Sequence, residues 1–228
     1  MAFSITKPFV ILCEGPADQI FFERLLSKHK INNFDVPPHT HYGKYYGWQS
    51  LGFMLRSLAG DAATYSRLTG VLIIADNATN STFKDICEKI ANDGPFVAPD
   101  RFVPPSKPNE LVKQPQGHPC LSIMLVPIGV LGALESICAD AITKRKPWLA
   151  ACVNAYLSCG KIAALNWRPE KRDKARLQCL IAALNEDDPN KGLTHLLHME
   201  PPLIPFTSQV FSPIIKEIKR FREEARKQ

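Results

Sequence analysis

Two apolar segments of the sequence each end in an acidic residue. Glu14 follows the run Phe9–Cys13, and Asp76 follows the run 71–75. Both runs are short and rich in β-branched or other large apolar side chains, as is typical of buried parallel strands. Because ligands bind outside the carboxyl ends of parallel strands, we expect the two carboxylates to share one polar site.

Two further acids are predicted to point at the same volume. Asp18 lies four residues after Glu14, in the first turn of a helix that follows a Gly-Pro turn. Glu135 follows the apolar strand predicted over residues 121–126 and lies on a helix predicted over 129–139. The four carboxylates therefore form a candidate cluster at one edge of a sheet.

Such a cluster predicts a particular chemistry. Neighbouring carboxylates repel one another, which raises their pKa values unless a cation compensates the charge. A set of oxygen ligands without cysteine and without a necessary histidine suits Mg²⁺ or Mn²⁺. These ions activate water and hold phosphodiesters, often as a pair. The residues therefore favour a metal site that acts on phosphodiesters.

Each acid also has a purely structural interpretation. Asp18 in a first helical turn is favoured by the helix dipole whatever its function. Glu14, next to a Gly-Pro turn, could be an ordinary surface acid. The apolar residues around Glu135 would hold its helix in the core regardless of that side chain. The repetition of an acid at the ends of two buried strands favours the shared site.

The order of these residues resembles a known family. An apolar strand followed by Glu14-Gly15, Asp18 and a second strand that ends in Asp76 resembles the Toprim domain of topoisomerases, primases and overcoming-lysogenization-defect (OLD) type nucleases. The segments 129–135 and 171–175 are similar to those of small stand-alone bacterial Toprim proteins with a DUF3226-type domain. The resemblance covers residues 8–180, and its first motif is the most specific.

The resemblance implies metal-dependent phosphodiester chemistry. It assigns Glu14 as general acid/base or metal ligand, and Asp18 and Asp76 as ligands of Mg²⁺ or Mn²⁺. Similarity to the OLD-type subgroup adds Glu135 as a further ligand and Lys174 as a catalytic residue. Lys174 also lies within a charged run, which is more often a solvated helix face.

One departure from the family pattern leaves two functions open. Toprim proteins usually carry Asp-x-Asp at the second motif, whereas this chain has Asp76-Asn77-Ala78, with Asn80 as the nearest remaining oxygen donor. The first hypothesis is a Mg²⁺-dependent nuclease acting on nucleic acid. The second is a catalytically degenerate module that binds nucleic acid or a partner ATPase, because OLD-type Toprim domains are usually fused to one.

The elements that must position these residues alternate along the chain. Strand and helix patterns follow one another over residues 1–145, which predicts an α/β domain with a mostly parallel sheet flanked by helices. The resemblance makes this domain Toprim-like, that is, Rossmann-like. From residue 146 to 228 the apolar periodicity is helical, and proline-containing segments separate the helices. We therefore expect a helical C-terminal extension that packs on the first domain.

Charge and aromatic residues give weaker evidence about partners. The formal net charge of +6 suits a polyanion such as nucleic acid, although many proteins without such a partner are as basic. Basic clusters lie at 144–146, 168–176 and 216–227. Aromatic and basic residues alternate over 42–48, and this segment either stacks on bases or forms an edge strand.

Cysteine, histidine and hydropathy patterns limit the remaining classes. The seven cysteines form no Cys-x-x-Cys pair, which indicates reduced core residues of a cytoplasmic protein; those in apolar stretches are Cys13, Cys87, Cys138, Cys152 and Cys179. His39 with His41, or His195 with His198, could instead ligate a metal, but no His-Glu-x-x-His pattern supports this. No apolar run approaches 18 residues, so no membrane span is expected.

Overall fold

Four parallel strands form the sheet at the centre of the protein. The computed structural model describes residues 4–38, 47–93, 102–115, 118–185, 188–200 and 202–228. The strands are β1 (Phe9–Cys13), β2 (Phe34–Asp35), β3 (Gly70–Asp76) and β4 (Cys120–Val126). Within the described residues they are ordered β2-β1-β3-β4, and every pair is parallel. This confirms the predicted α/β class with a Rossmann-like parallel sheet.

Helices cover both faces of this sheet. The described ranges contain ten: α1 (Pro16–Lys28), α2 (Leu51–Gly60), α3 (Ala62–Tyr65), α4 (Thr82–Asp93), α5 (Leu134–Arg145), α6 (Pro147–Leu157), α7 (Gly160–Ala163), α8 (Pro169–Leu184), α9 (Leu193–His198) and α10 (Ser212–Ala225). Single 3₁₀ turns occur at Trp48–Ser50 and Gln209–Phe211. Proline occupies the first turn of α1, α6, α8 and α10, where its missing N–H costs no hydrogen bond.

The alternation of side chains along the strands divides the core into two layers. Ile11 and Leu72 belong to the larger layer, which also contains buried side chains of α1, α5, α8 and α10. Leu12 and Ile73 belong to the smaller layer, under α2 and α4. Apolar side chains on both faces explain why the central strands appear as uninterrupted hydrophobic runs in the sequence. The C-terminal helices thus share the larger layer with the sheet, and the division at residue 145 stays a prediction.

Strand register places the carboxyl ends of β1, β3 and β4 at one edge of the sheet. Cys13 pairs with Ile74, and Asp76 pairs with Val126. The residue after Cys13 therefore lies beside the end of β3, and the segment after Val126 lies beside Asp76. This edge receives both acids that follow the strands.

The helix predicted over 129–139 is wrong at its beginning. It starts at Leu134, and residues 127–133 form a loop instead. Gly129 and Gly132 in this loop have φ values of 77° and 156°, a conformation that glycine adopts without strain and a right-handed helix cannot contain. The loop therefore places the first residue of the helix, Leu134, next to Asp76.

The sequence predicts a short strand and a turn over residues 32–46, and the described part of this segment contains one short strand. It consists of Phe34–Asp35, and the buried Asp35 carboxylate accepts hydrogen bonds from the backbone N–H groups of Thr6 and Lys7 at 2.6 and 2.9 Å. His39, His41, Tyr42, Lys44, Tyr45 and Tyr46 lie outside the described residues. Trp48 lies in a 3₁₀ turn and packs against the smaller core layer, so the described end of the aromatic segment is not a strand.

All seven cysteines carry free thiols. Cys13, Cys120 and Cys138 are buried, but Cys152 and Cys159 are exposed. The prediction that Cys152 is a core residue is therefore wrong, because α6 is apolar on nearly all sides and presents one apolar side to solvent. None of the helices in the described ranges has the length and hydrophobicity needed to span a bilayer.

Candidate functional site

Glu14 and Asp76 are joined directly at the edge of the sheet. The backbone N–H of Asp76 donates a hydrogen bond to Glu14 Oε1 at 2.8 Å. The contact follows from the register of β1 and β3, which brings the residue after one strand against the last residue of the other. Both side chains are partly buried. Two acids 62 positions apart in sequence therefore meet at one point.

The N-terminus of α5 fixes the Asp76 carboxylate. The backbone N–H of Leu134 donates to Asp76 Oδ1 at 2.9 Å. This N–H is one of the four at the start of a helix that have no partner within the helix, and the helix dipole favours an anion there. Glu135 is the next residue, in the same first turn, and its charge acts on both Asp76 and Asp18.

Helices α1 and α8 contribute the other two groups. Asp18 lies in the first turn of α1, and its carboxylate accepts from the backbone N–H of Gly15. Lys174 lies in the second turn of α8, with Nζ 3.9 Å from Asp76 Oδ2, and its side chain is about half exposed (53%). We call Glu14, Asp18, Asp76 and Glu135, together with Lys174, the acidic centre. The structure brings together all five residues that sequence reasoning singled out.

Burial and mutual repulsion shift the protonation of three of these acids. Desolvation, followed by the neighbouring carboxylates, raises the pKa of Glu14, Asp18 and Asp76 to about 7 each. Lys174 and the backbone N–H donors act in the opposite direction but do not cancel the shift. At neutral pH the centre therefore holds carboxylates that can both take up and release a proton.

The same carboxylates act on the lysine. Partial burial lowers the pKa of the Lys174 ammonium, but the charges of Glu135, Asp76, Glu14 and Asp18 outweigh it, so that the pKa is raised. Lys174 therefore stays positively charged at neutral pH. It supplies a cation that partly compensates the acids and that can contact an anionic group.

The donor set at the acidic centre fits a hard divalent cation. No group of three His, Cys, Asp or Glu side chains within the described ranges is arranged closely enough to surround a metal ion by itself. Mg²⁺ does not need such a cage, because it is usually bound by one or two carboxylates and keeps several waters. Glu14 and Asp76 are the pair best placed to provide those carboxylates, because the Glu14 carboxylate contacts the Asp76 backbone. His195 and His198 are exposed on α9.

Asn77 organises the loop that leads to α5, and sequence reasoning missed this role. Its Nδ2 donates to the carbonyl oxygens of Val130 and Pro127 at 2.7 and 3.3 Å, and its own carbonyl accepts from the N–H of Gly132 at 2.8 Å. The loop is thereby held in the shape that delivers Leu134 to Asp76. An asparagine directly after the strand-end acid, together with a downstream glycine-rich segment, was the only available signal.

Asp173 is a second residue that the sequence did not identify. Its carboxylate accepts from the backbone N–H of Ala133, and partial burial raises its pKa. Gly132 leaves room for it, since a Cβ at that position would lie 2.8 Å from Asp173 Oδ2. Asp173 therefore ties α8 to the start of α5 and places the adjacent Lys174 beside Asp76.

Comparison with known proteins identifies the family but no activity. The family model described as "Protein of unknown function (DUF3226)" matches residues 8–223. No curated protein and no solved structure matches the chain. The match includes every residue of the acidic centre and nearly all of the fold described above. The chain therefore belongs to the DUF3226 family of proteins of unknown function.

Proposed function

We propose that this protein is a Mg²⁺-dependent nuclease with a Toprim-like fold, cleaving phosphodiester bonds in nucleic acid. One observation carries the proposal: two adjacent strand ends place Glu14 and Asp76 in contact beside a lysine. The Asp76 N–H lies 2.8 Å from Glu14 Oε1, and Lys174 Nζ lies 3.9 Å from Asp76 Oδ2. Partly buried carboxylates with raised pKa values, such as these beside Lys174, cluster at active sites.

The residues divide into roles that their positions support. Glu14 and Asp76 would hold Mg²⁺ or Mn²⁺, and Asp18 and Glu135 would add negative charge around the ion, which supplies water activation and binds the phosphate when present. Where Glu14 does not ligate the metal, it would act as the general acid or base, because its pKa in the metal-free centre is about 7. Lys174 stabilises the negative charge of the phosphate.

The surface around Lys174 supports a polyanionic substrate. Arg168 directly precedes α8, Lys171 and Arg172 lie in its first turn, and all three side chains are exposed. Lys171 and Lys174 lie three residues apart and therefore on the same side of the helix. Lys171 also stacks over the ring of Trp167, with 5.7 Å from Nζ to the ring centroid. These cations can contact phosphates on either side of the bond to be cleaved.

Cleavage assays with purified protein test the proposal. Single-stranded DNA, duplex DNA and RNA are incubated with the protein in Mg²⁺, Mn²⁺ or EDTA. We expect metal-dependent cleavage that Glu14→Ala and Asp76→Ala each reduce by at least about a hundredfold. Glu88→Ala is the matched control, because Glu88 is an exposed acid that pairs only weakly with Lys84 at 3.6 Å. No cleavage, or cleavage unchanged by the first two substitutions, would refute the nuclease.

A second candidate function rests on Ala78. The position two residues after Asp76, where Toprim enzymes usually carry a second Asp, offers no ligand, and the described acids form no ready three-ligand cage. On this alternative the protein binds nucleic acid or a partner ATPase without catalysis. Binding would then be independent of metal and would weaken as salt rises, because phosphate contacts release counterions. Binding that is lost in Glu14→Ala would contradict it.

We expect the protein to act in the cytoplasm. Its seven free thiols, two of them exposed, suit a compartment that keeps cysteines reduced. Fractionation of cells that express a tagged chain tests this expectation. Enrichment in an oxidising compartment would contradict it.

A further inference from the structure

A hollow of about 530 Å³ opens at the carboxyl edge of the sheet, next to the acidic centre. Its lining begins at Asn77, the residue that follows Asp76, and includes Asn80, Phe83, Ile128, Val130 and Leu131. The volume falls within the range of pockets that bind small organic groups. A groove of about 710 Å³ between residues 107–111 and α10 adjoins the hollow, since Pro108 and Asn109 line both.

The lining of this hollow differs chemically from the acidic centre beside it. None of its residues carries a charge, whereas the acidic centre consists only of charged groups. Phe83, Ile128 and Leu131 supply apolar walls, and Asn80 with Thr79 supplies amide and hydroxyl groups. A phosphate finds no cation in such a lining. The group that fits is neutral, has apolar faces and carries hydrogen-bonding edges.

The rim of the hollow is apolar, exposed and held in place. Val130 and Leu131 are 61% and 40% exposed, and neither belongs to a core layer. The Asn77 side chain fixes the carbonyl of Val130 at 2.7 Å, so the rim is preorganised rather than loose.

We propose that this hollow binds one nucleobase of the strand whose phosphate is bound at the acidic centre. The inference rests on the proposed action on nucleic acid and adds a base-binding subsite to it. Stacking of a base on aromatic and apolar side chains is tolerant of sequence, and the amide edges of asparagine pair with base edges. The base must be unstacked to enter, so the substrate is single-stranded at this position.

Photocrosslinking with Ca²⁺ in place of Mg²⁺ tests the subsite independently of cleavage, because Ca²⁺ also binds carboxylate and phosphate oxygens. The full-length protein is irradiated with a single-stranded oligonucleotide that contains 5-iodouracil, and the crosslinked peptides are identified by mass spectrometry. We expect crosslinks on peptides that contain Phe83 or residues 128–131. Val130→Ser should lower their yield by roughly threefold or more, because the apolar rim contact is lost. Val103→Ser is the control, since Val103 is similarly exposed (48%) and does not line the hollow.

Each outcome separates this inference from the nuclease proposal. Crosslinks that map outside the hollow, or that Val130→Ser leaves unchanged, would overturn the subsite even if the protein cleaves nucleic acid. Crosslinks in the hollow of a protein that never cleaves would support the subsite and refute the nuclease. Absence of any crosslink or binding would overturn the subsite as well.

Discussion

At the scale of single residues, the acids of the centre oppose folding when they are ionised. Glu14, Asp18 and Asp76 have pKa values of about 7 in the folded protein, well above the ordinary values of 4.5 and 3.8. Between about pH 4 and pH 7 the folded chain therefore binds more protons than the unfolded chain, and stability falls as pH rises through this window. In the absence of metal, these three acids should therefore make a smaller contribution to the free energy of unfolding at pH 8 than at pH 4.5.

Removing one charge should relieve this cost. Asp18→Asn in EDTA is expected to raise the free energy of unfolding at pH 8 by about 1 kcal/mol or more, which is about 2–4 °C in melting temperature for a chain of this size. At pH 4.5 the gain should be small, because Asp18 is then largely protonated in the folded protein. Thermal unfolding followed by circular dichroism at both pH values measures the difference, with Glu88→Gln as the exposed control. An equal gain at both pH values would contradict the electrostatic origin.

Adding a carboxylate at position 78 tests whether the acidic centre binds a metal. Ala78→Asp gives the chain the Asp-x-Asp order that Toprim proteins usually carry and adds a carboxylate two residues after Asp76. We expect Mg²⁺ or Mn²⁺ to bind roughly tenfold more tightly, since ligand charge largely sets the affinity of such sites. Titration calorimetry or Mn²⁺ electron paramagnetic resonance measures this. Ala78→Asn controls for size, and an equal effect of both substitutions would argue against a metal at this position.

At the residue scale, the sequence reveals acids at strand ends but not their hydrogen bonds. The meeting of Glu14 and Asp76 followed from two apolar runs and the geometry of parallel sheets. The role of Asn77 could not be predicted, because its partners lie about 50 positions later in a loop whose shape the sequence does not specify. Lys174 was assigned by resemblance alone, and only tertiary packing brings it to Asp76.

At the scale of elements, the loop 127–132 controls the start of α5. Asn77→Ala removes two hydrogen bonds to this loop and should lower the free energy of unfolding by about 1–2 kcal/mol. It should also lower the proposed nuclease activity, because Leu134 would no longer hold Asp76 as firmly. Asn77→Asp keeps the shape but cannot donate, and we expect the same loss. Urea unfolding and cleavage rates are the measurements, and Asn92→Ala on the exposed end of α4 is the control. Full stability in Asn77→Asp would contradict the donor role.

Element boundaries were predictable where turn residues mark them. The central strands were predicted to within one residue, because proline or glycine bounds the apolar runs on at least one side. The beginning of α5 was not, because Val130, Leu131 and Leu134 fit helical spacing while the glycines beside them adopt positive φ values. Periodicity shows which side chains are apolar, but it does not show whether the backbone between them continues as a helix.

At the scale of the whole molecule, the C-terminal helices complete the core. Leu177, Leu180 and Ile218 are buried in the same layer as the sheet, and Phe221 contacts Phe9 with ring centroids 5.9 Å apart. A fragment ending at residue 145 lacks these helices. The apolar side chains that they cover, such as Phe9, would be exposed to water at a cost of about 25 cal/mol per Å². We expect the fragment to lack a cooperative thermal transition, as measured by circular dichroism. Cooperative unfolding of the fragment would show that the first 145 residues form an independent domain.

The α/β class was predictable at this scale, because strand and helix patterns alternate along the first 140 residues. The positions of the C-terminal helices were not. Each has an apolar side, but the sequence does not indicate which face of the sheet that side covers. The approach of α8 to α5 depends on contacts such as the 2.7 Å ion pair between Arg176 and Asp140, which link segments 36 positions apart.

Three carboxylates of the acidic centre are partly protonated near neutral pH. A metal ion that binds them must therefore displace protons into solution. A divalent cation competes with those protons, so its apparent affinity should increase steeply from pH 5 to pH 7 and level off above. The heat of binding should then vary with the ionisation enthalpy of the buffer, and comparing phosphate-free buffers such as Tris and PIPES would count the protons expelled. If the centre holds the proposed metal, acidification would release that ion before the chain unfolds.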